Sequence, residues 1–250
     1  GEVTLRAESV FFAGENSNAD GSDIYMISSY KGDGAGDGGT LLIDAKDITF
    51  ADGAYIDSST GGRGNGGKVT LRAESVFFAG ENSKADGSDI IMRTEYAGEG
   101  AGDAGTLLIE ADDITFTDGA YINSATIGRG RGGEVTLKAN SVSFAGENSN
   151  AGGSNINMRT VYAEEDAGDA GIILIEAEDI TFTDGAYIDS TTKGKGNGGE
   201  VMLRAGETVT VTGSDTRGNP TRIYARAEST APDAGDGGNI TVSARRISLT

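Results

Sequence analysis

The sequence predicts an all-β chain wound as a parallel β-helix, a β-solenoid of about eight coils in which turns of 38 and 28 residues alternate. Three observations predict it: a 66-residue repeat, a period-two alternation of apolar and polar residues within each unit, and glycine-rich corners at fixed places. Glu2-Val3-Thr4-Leu5 returns as Lys68-Val69-Thr70-Leu71, as Glu134-Val135-Thr136-Leu137 and as Glu200-Val201-Met202-Leu203. A long fixed period marks units that pack chiefly on their neighbours.

Each unit holds two related halves. Gly1 to Ala7 matches Gly39 to Ala45, 38 residues on, and Gly67 opens the next unit 28 residues later. The last long coil, Gly199 to Gly238, is one residue longer. The chain is therefore read as one segment of four repeats, 1–66, 67–132, 133–198 and 199–250. It starts and stops within the pattern, as a piece of a longer protein would.

The first strand of a coil points Val3, Leu5 and Ala7 inward, with Thr4 and Arg6 outward. Val10 and Phe12 take the inner side of the second. On the third, Met26 and Ser28 are expected inside in the long coil, matched by Ile56 and Ser58 in the short one. Three short strands per turn follow. Alanines 7, 45, 73, 111, 139, 177, 205 and 244 fill one corner column. Phe12, Phe50, Phe78, Phe116, Phe144 and Phe182 form a second, ending at Leu249. Coils spaced by ~4.8 Å let such rings stack face to face.

Outside the first strand, Arg6, Asp44, Arg72, Glu110, Lys138, Glu176 and Arg204 alternate in sign, and Ser243 ends the ladder. Each adjacent pair is worth ~0.2–1 kcal/mol, and skipping one coil would set Arg6 beside Arg72. The last corner divides similarly, with acidic loops in long coils (Asp33 to Asp37, Glu99 to Asp103, Glu165 to Asp169, Asp233 to Asp236) and basic ones in short coils (Arg63, Arg129 and Arg131, Lys193 and Lys195).

A net charge of −19 argues against nucleic-acid partners and against anionic membrane surfaces. With no cysteine there is no disulfide framework, and no apolar run is long enough for a membrane-spanning helix. With no histidine, imidazole acid–base chemistry is excluded. Asp52, Asp118 and Asp184 recur with the repeat, whereas a catalytic site should break it. Only Gly206 to Arg226 departs strongly, with Asp215, Arg217 and Arg222, and no enzymatic activity is expected.

Long coils carry a polar insertion at one corner: Glu15 to Asp23, Glu81 to Asp89, Glu147 to Asn155 and Ser214 to Arg222. Insertions on one face of a repeat protein are either tolerated loops or its binding face. Asp20-Gly21-Ser22-Asp23 and Asp86-Gly87-Ser88-Asp89 offer oxygens to calcium, but Gly152-Gly153-Ser154-Asn155 has lost both carboxylates, so no cofactor is required. Tyr25, Tyr55, Tyr121, Tyr187 and Tyr224 are expected in one outward row, with Ile91 and Asn157 interspersed. Such a row could stack on sugar rings or a partner surface, or serve strand propensity alone.

The unit Gly-Gly-x-Val-Thr-Leu-x-Ala, then Ile-Thr-Phe-x-Asp-Gly-Ala-x-Ile and a Gly-x-Gly-x-Gly-Gly corner, runs from Gly38 to Gly67, Gly105 to Gly133 and Gly171 to Gly199. It resembles the repeats of filamentous haemagglutinin-like exoproteins across essentially the whole chain. The resemblance implies a right-handed β-helix, two-partner secretion and an adhesin at the surface of a Gram-negative-type bacterium. Asn219-Pro220 lies in a divergent loop and is not equated with that family's secretion motifs. The expected function is the structural shaft of a secreted or cell-surface adhesin, meeting a host or neighbouring-cell receptor or glycan. The alternatives are a self-assembling extracellular filament, joined end to end or laterally, and a polysaccharide-binding or polysaccharide-cleaving β-helix.

Overall fold

Alternating β-branched and aromatic residues give strands throughout. The computed structural model describes all residues except 15–21, 31–33, 82–86, 99, 151 and 162–166. Among the described residues every regular element is a strand. One parallel sheet has twelve strands: β1 (Glu2–Phe12), β3 (Thr40–Ala51), β5 (Lys68–Arg72), β6 (Ser75–Ala79), β8 (Thr106–Glu110), β9 (Asp113–Phe116), β11 (Glu134–Lys138), β12 (Ser141–Phe144), β14 (Ile172–Phe182), β16 (Glu200–Val211), β18 (Asn239–Ser243) and β19 (Arg246–Leu249). A second has seven: β2 (Ile24–Tyr25), β4 (Tyr55–Asp57), β7 (Asp89–Ile91), β10 (Tyr121–Asn123), β13 (Asn155–Asn157), β15 (Tyr187–Asp189) and β17 (Arg222–Tyr224).

This arrangement corrects the right-handed β-helix, the β-solenoid with three short strands per turn, that the sequence suggested. The strands gather into two sheets, and the expected first and second strands are continuous in β1, β3, β14 and β16. Because β3 and β14 each pair with two shorter strands on one side, the pairing order of the larger sheet closes into a ring of eight parallel strands, β3-β5-β8-β11-β14-β12-β9-β6. Corner hydrogen bonding causes the split. The Glu74 carbonyl accepts from both Asp112 and Asp113 N–H, that of Asp112 from Asn140 and Ser141, and that of Asn140 from Glu178 and Asp179. Each shared acceptor interrupts the one-to-one ladder between two strands. The chain itself crosses the ring at Ala73-Glu74, Ala111-Asp112 and Ala139-Asn140, so the ring surrounds these corners and not a lumen.

Pairing is parallel and in register, except that β14 and β16 shift by one residue between Ala177 and Asp179. Val3 lies beside Leu41, Leu41 beside Val69, Val69 beside Leu107, and so on to Val201 beside Ile240. The core lies between the two sheets. It contains Leu41, Ile43, Leu71, Ile109, Leu137 and Ile175 from the larger and Ile56, Ile90, Ile122, Ile156 and Ile188 from the smaller, all fully buried. Six phenylalanines from Phe12 to Phe182 stack at 4.8–5.0 Å with interplanar angles of 2–7°. Val211 continues that column between Phe182 and Leu249.

Glycine is required where backbones meet side chains. A Cβ on Gly67 would overlap the Ser58 Oγ and the Gly39 carbonyl, and Ser58 Oγ donates to that same carbonyl at 2.6 Å. Asp52, Asp118 and Asp184 have φ of 55–56°, each followed by a glycine with φ of 78–79°. Two successive positive φ values make tight reversals that favour Asp-Gly. These recurring acids are turn residues.

Candidate functional site

Three exterior regions carry most of the polar chemistry: the insertion edge, the last corner, and the outer face of the seven-stranded sheet. At the insertion edge, a buried hydroxyl closes the base of each loop. Ser88 Oγ donates to the Ala79 carbonyl at 2.7 Å, Ser154 to Ala145 at 2.7 Å and Thr221 to Thr212 at 2.8 Å. The same oxygens accept from Gly53, Gly119 and Gly185 N–H in the adjacent Asp-Gly tight turn. Farther out, Glu81 accepts from Ser149 N–H at 2.6 Å and Glu147 from Thr216 N–H at 2.9 Å. Successive loops thus brace one another across the turn between them.

Of the residues weighed for calcium, Asp20 and Asp86 lie outside the described residues. Asp23 and Asp89 each accept from a tyrosine backbone N–H, of Tyr55 at 3.2 Å and Tyr121 at 3.1 Å. Among the described residues no three acids converge in a group able to hold a metal ion. In the divergent loop, Asp215 accepts from Arg217 N–H, Asn219 N–H and Asn219 Nδ2 at 2.6–3.0 Å. The Asn219 amide leads in holding its carboxyl below the usual range. This carboxylate folds its own loop.

The last corner is an interlocked amide–carboxylate ladder. Asp37 accepts from Asn65 N–H, Asn65 from Asp103 N–H, Asp103 from Arg131 N–H, Asp169 from Asn197 N–H and Asn197 from Asp236 N–H, at 2.7–2.9 Å. Arg131 also pairs with Asp103 at 2.9 Å and Lys195 with Asp233 at 2.6 Å. Their partners raise the Arg131 pKa and lower that of Asp233. A groove of about 420 Å³ runs along this corner between Asp103, Asp169 and Asn197, floored by glycines 132, 133, 198 and 199. On the first strand, Arg6, Asp44, Arg72, Glu110, Lys138, Glu176 and Arg204 lie side by side in register, ending at Ser243. Two rungs close to ion pairs, Arg72–Glu110 at 3.0 Å and Arg204–Glu176 at 3.1 Å.

The outer face of the seven-stranded sheet holds the tyrosines, in two rows and not one. Tyr55 pairs with Asp89, Tyr121 with Asn155, and Tyr187 with Asn155 and Arg222. Two residues along, Tyr25 pairs with Asp57 and Tyr224 with Asp189; Ile91, Asn123 and Asn157 belong to this second row. Ile24 therefore faces Ile56, and Ser28 lies beside Thr60, where the sequence had set Met26 against Ile56. Tyr25 and Tyr55 meet edge to face at 5.3 Å and share a hydroxyl–hydroxyl hydrogen bond. Burial first, then that bond, pushes the Tyr55 phenol up. Burial also raises Tyr187.

Around Tyr187 and Tyr224 the face turns basic. The Arg222 guanidinium lies 5.7 Å from the Tyr187 ring centre and 5.4 Å from that of Tyr224, and Arg226 sits 4.0 Å over Tyr224. Arg159 approaches Asp189 at 3.6 Å, and Arg226 pairs with Glu228 at 2.9 Å. The sequence pointed to the tyrosines and, separately, to Arg222 in the divergent stretch, but did not bring them together. The cluster's signal was a change of sign, since the insertion ends at Asp23, Asp89, Asn155 and then Arg222. No family model, curated protein or solved structure matches the chain, so the resemblance to filamentous haemagglutinin-like repeats rests on its residues alone.

Proposed function

We propose that the chain is a load-bearing structural body of an extracellular attachment protein, holding its outer faces toward a receptor or glycan on another cell. The observation that carries this reading is the phenylalanine stack from Phe12 to Phe182, with the neighbouring strands parallel beside it and in register but for one shift between β14 and β16. A load along such a stack is shared by many backbone hydrogen bonds and a dry interior, so it resists extension cooperatively. Loop-to-loop bonds at the insertion edge and the amide–carboxylate corner serve the same end. The two tyrosine rows give the glycan part of the reading its support, because exposed aromatic faces suit sugar rings.

Single-molecule pulling between the two ends tests the load-bearing role. The chain should hold force and then give way in discrete ruptures. Smooth extension at low force, with no rupture, would overturn the proposal. Retention of protein-coated beads on immobilised glycans or cell surfaces tests attachment independently of mechanics.

A further inference from the structure

We propose that Arg222, Tyr224 and Arg226, with Tyr187 on the adjacent strand, form a binding site for the carboxylate of an acidic sugar. The proposal rests on the attachment reading and names the ligand class its outer face would take. Arg222, Tyr224 and Arg226 alternate along β17 and its continuation, so all three side chains leave the same side of the sheet, away from Ile223 and Ala225. Residues at the Arg222 position run Asp23, Asp89, Asn155 and Arg222, from negative through neutral to positive. In a chain of net charge −19 this is a local reversal at one end of one face.

The three arginines near this end differ in their partners. Asp189 takes Arg159, and Glu228 takes Arg226 and, at 4.0 Å, Arg159. Among the described residues Arg222 makes no ion pair: its contacts are the two tyrosine rings, its Nε is buried without a hydrogen-bond partner, and the two terminal nitrogens are the donors left for a ligand. A guanidinium held against aromatic faces keeps its edge N–H groups in a fixed fork, which matches a carboxylate bidentately. Both rings remain partly exposed. Arg226 covers one face of Tyr224, and the exposed remainder of the two rings is left for the apolar side of a sugar beside the guanidinium. Asp189 and Glu228 leave the cluster with only a small excess of positive charge, which favours a single carboxylate on a sugar over a densely charged polyanion.

Calorimetric titration with oligogalacturonate, its neutral methyl ester and a sulfated oligosaccharide tests the site. The carboxylate form should bind at least about tenfold more tightly than the ester, and Arg222→Gln should lose about tenfold while Arg72→Gln, on the other sheet, loses nothing. Circular dichroism of Arg222→Gln must match that of the parent, and Arg222→Lys, which keeps charge but not the fork, should recover only part of the loss. Equal binding of acid and ester would overturn the assignment to Arg222 while leaving glycan attachment in place. Binding of the sulfated chain alone would overturn the carboxylate. No binding of any sugar would overturn this site, while bead retention on cells would still sustain the attachment reading.

Discussion

Phe77 and Phe78 are neighbours in sequence and opposite in circumstance. Phe78 is fully buried between Phe50 and Phe116, with rings 4.8 Å away on both sides, whereas Phe77 is 40 % exposed between Thr49 and Thr115. The inward residue must fit its neighbours in the column, which repeats phenylalanine from Phe12 to Phe182 and ends in the apolar Val211 and Leu249. The outward residue answers to solvent, and its row varies from Phe11 to Thr49, Phe77 and Thr115. Interior identity and exterior variation are thus two consequences of one stacked backbone. Chemistry peculiar to this chain belongs on the outside, where Asp23 can become Arg222.

The sharpest way to break this comparison is to truncate both rings. Phe78→Ala should cost about 3–5 kcal/mol in urea unfolding, through lost burial and an uncollapsed cavity. Phe77→Ala should stay within about 1 kcal/mol. Equal losses would mean that the column is not what holds the stack. Gly67→Val should come next, because its side chain would enter space held by Ser58 Oγ and the Gly39 carbonyl, costing on the order of 1–3 kcal/mol or more.

The same contrast explains what was legible. Alternation with period two placed Leu41, Ile43, Phe50 and Phe116 inside, since a one-residue slip would turn every one of them out. A slip of two residues leaves inward and outward unchanged, so it escapes that signal. The tyrosines fell into this gap: Asp23-Ile24-Tyr25 and Tyr55-Ile56-Asp57 share the alternation and differ only in which end carries the ring. Pairing Ile24 with Ile56 separates the rows and sets Tyr187 against Arg222, a juxtaposition the shifted alignment concealed. The continuous strands and closed pairing order were equally hidden. They depend on which corner carbonyl accepts two N–H groups, and residue type does not encode that.

Turns give an intermediate effect. Asp118 has φ of 56° and accepts from Gly80 N–H at 3.3 Å. Asp118→Val should destabilise by about 1–3 kcal/mol, because a β-branched residue is strained at positive φ. Asp118→Gly, which relieves the backbone and forfeits the carboxylate's bonds from Gly80 N–H and the Thr117 hydroxyl, should cost less. A valine variant as stable as the glycine one would show that the left-handed turn does not govern this corner. Smaller still is the charge ladder: Arg72→Ala should change stability by no more than about 1 kcal/mol, since both Arg72 and Glu110 are about half exposed.

The finest test concerns Asp57, on the outer face opposite Tyr25. Burial raises its carboxyl pKa despite the hydrogen bonds from Ser59, whose N–H donates at 2.9 Å. A raised value means that the folded chain holds this proton at a pH where the unfolded chain has released it. Its contribution is therefore greatest below the ordinary carboxyl pKa and declines as pH rises through the raised one. Asp57→Asn removes the decline and keeps the acceptor, as Asn123 and Asn157 do at the equivalent places, accepting from Ala125 and Arg159 N–H at 3.3 Å. The variant should have a higher Tm than the parent at neutral pH, with the difference vanishing in acid. A gain that persists unchanged at low pH would have to come from packing, and burial of the Asp57 charge would then cost the fold nothing.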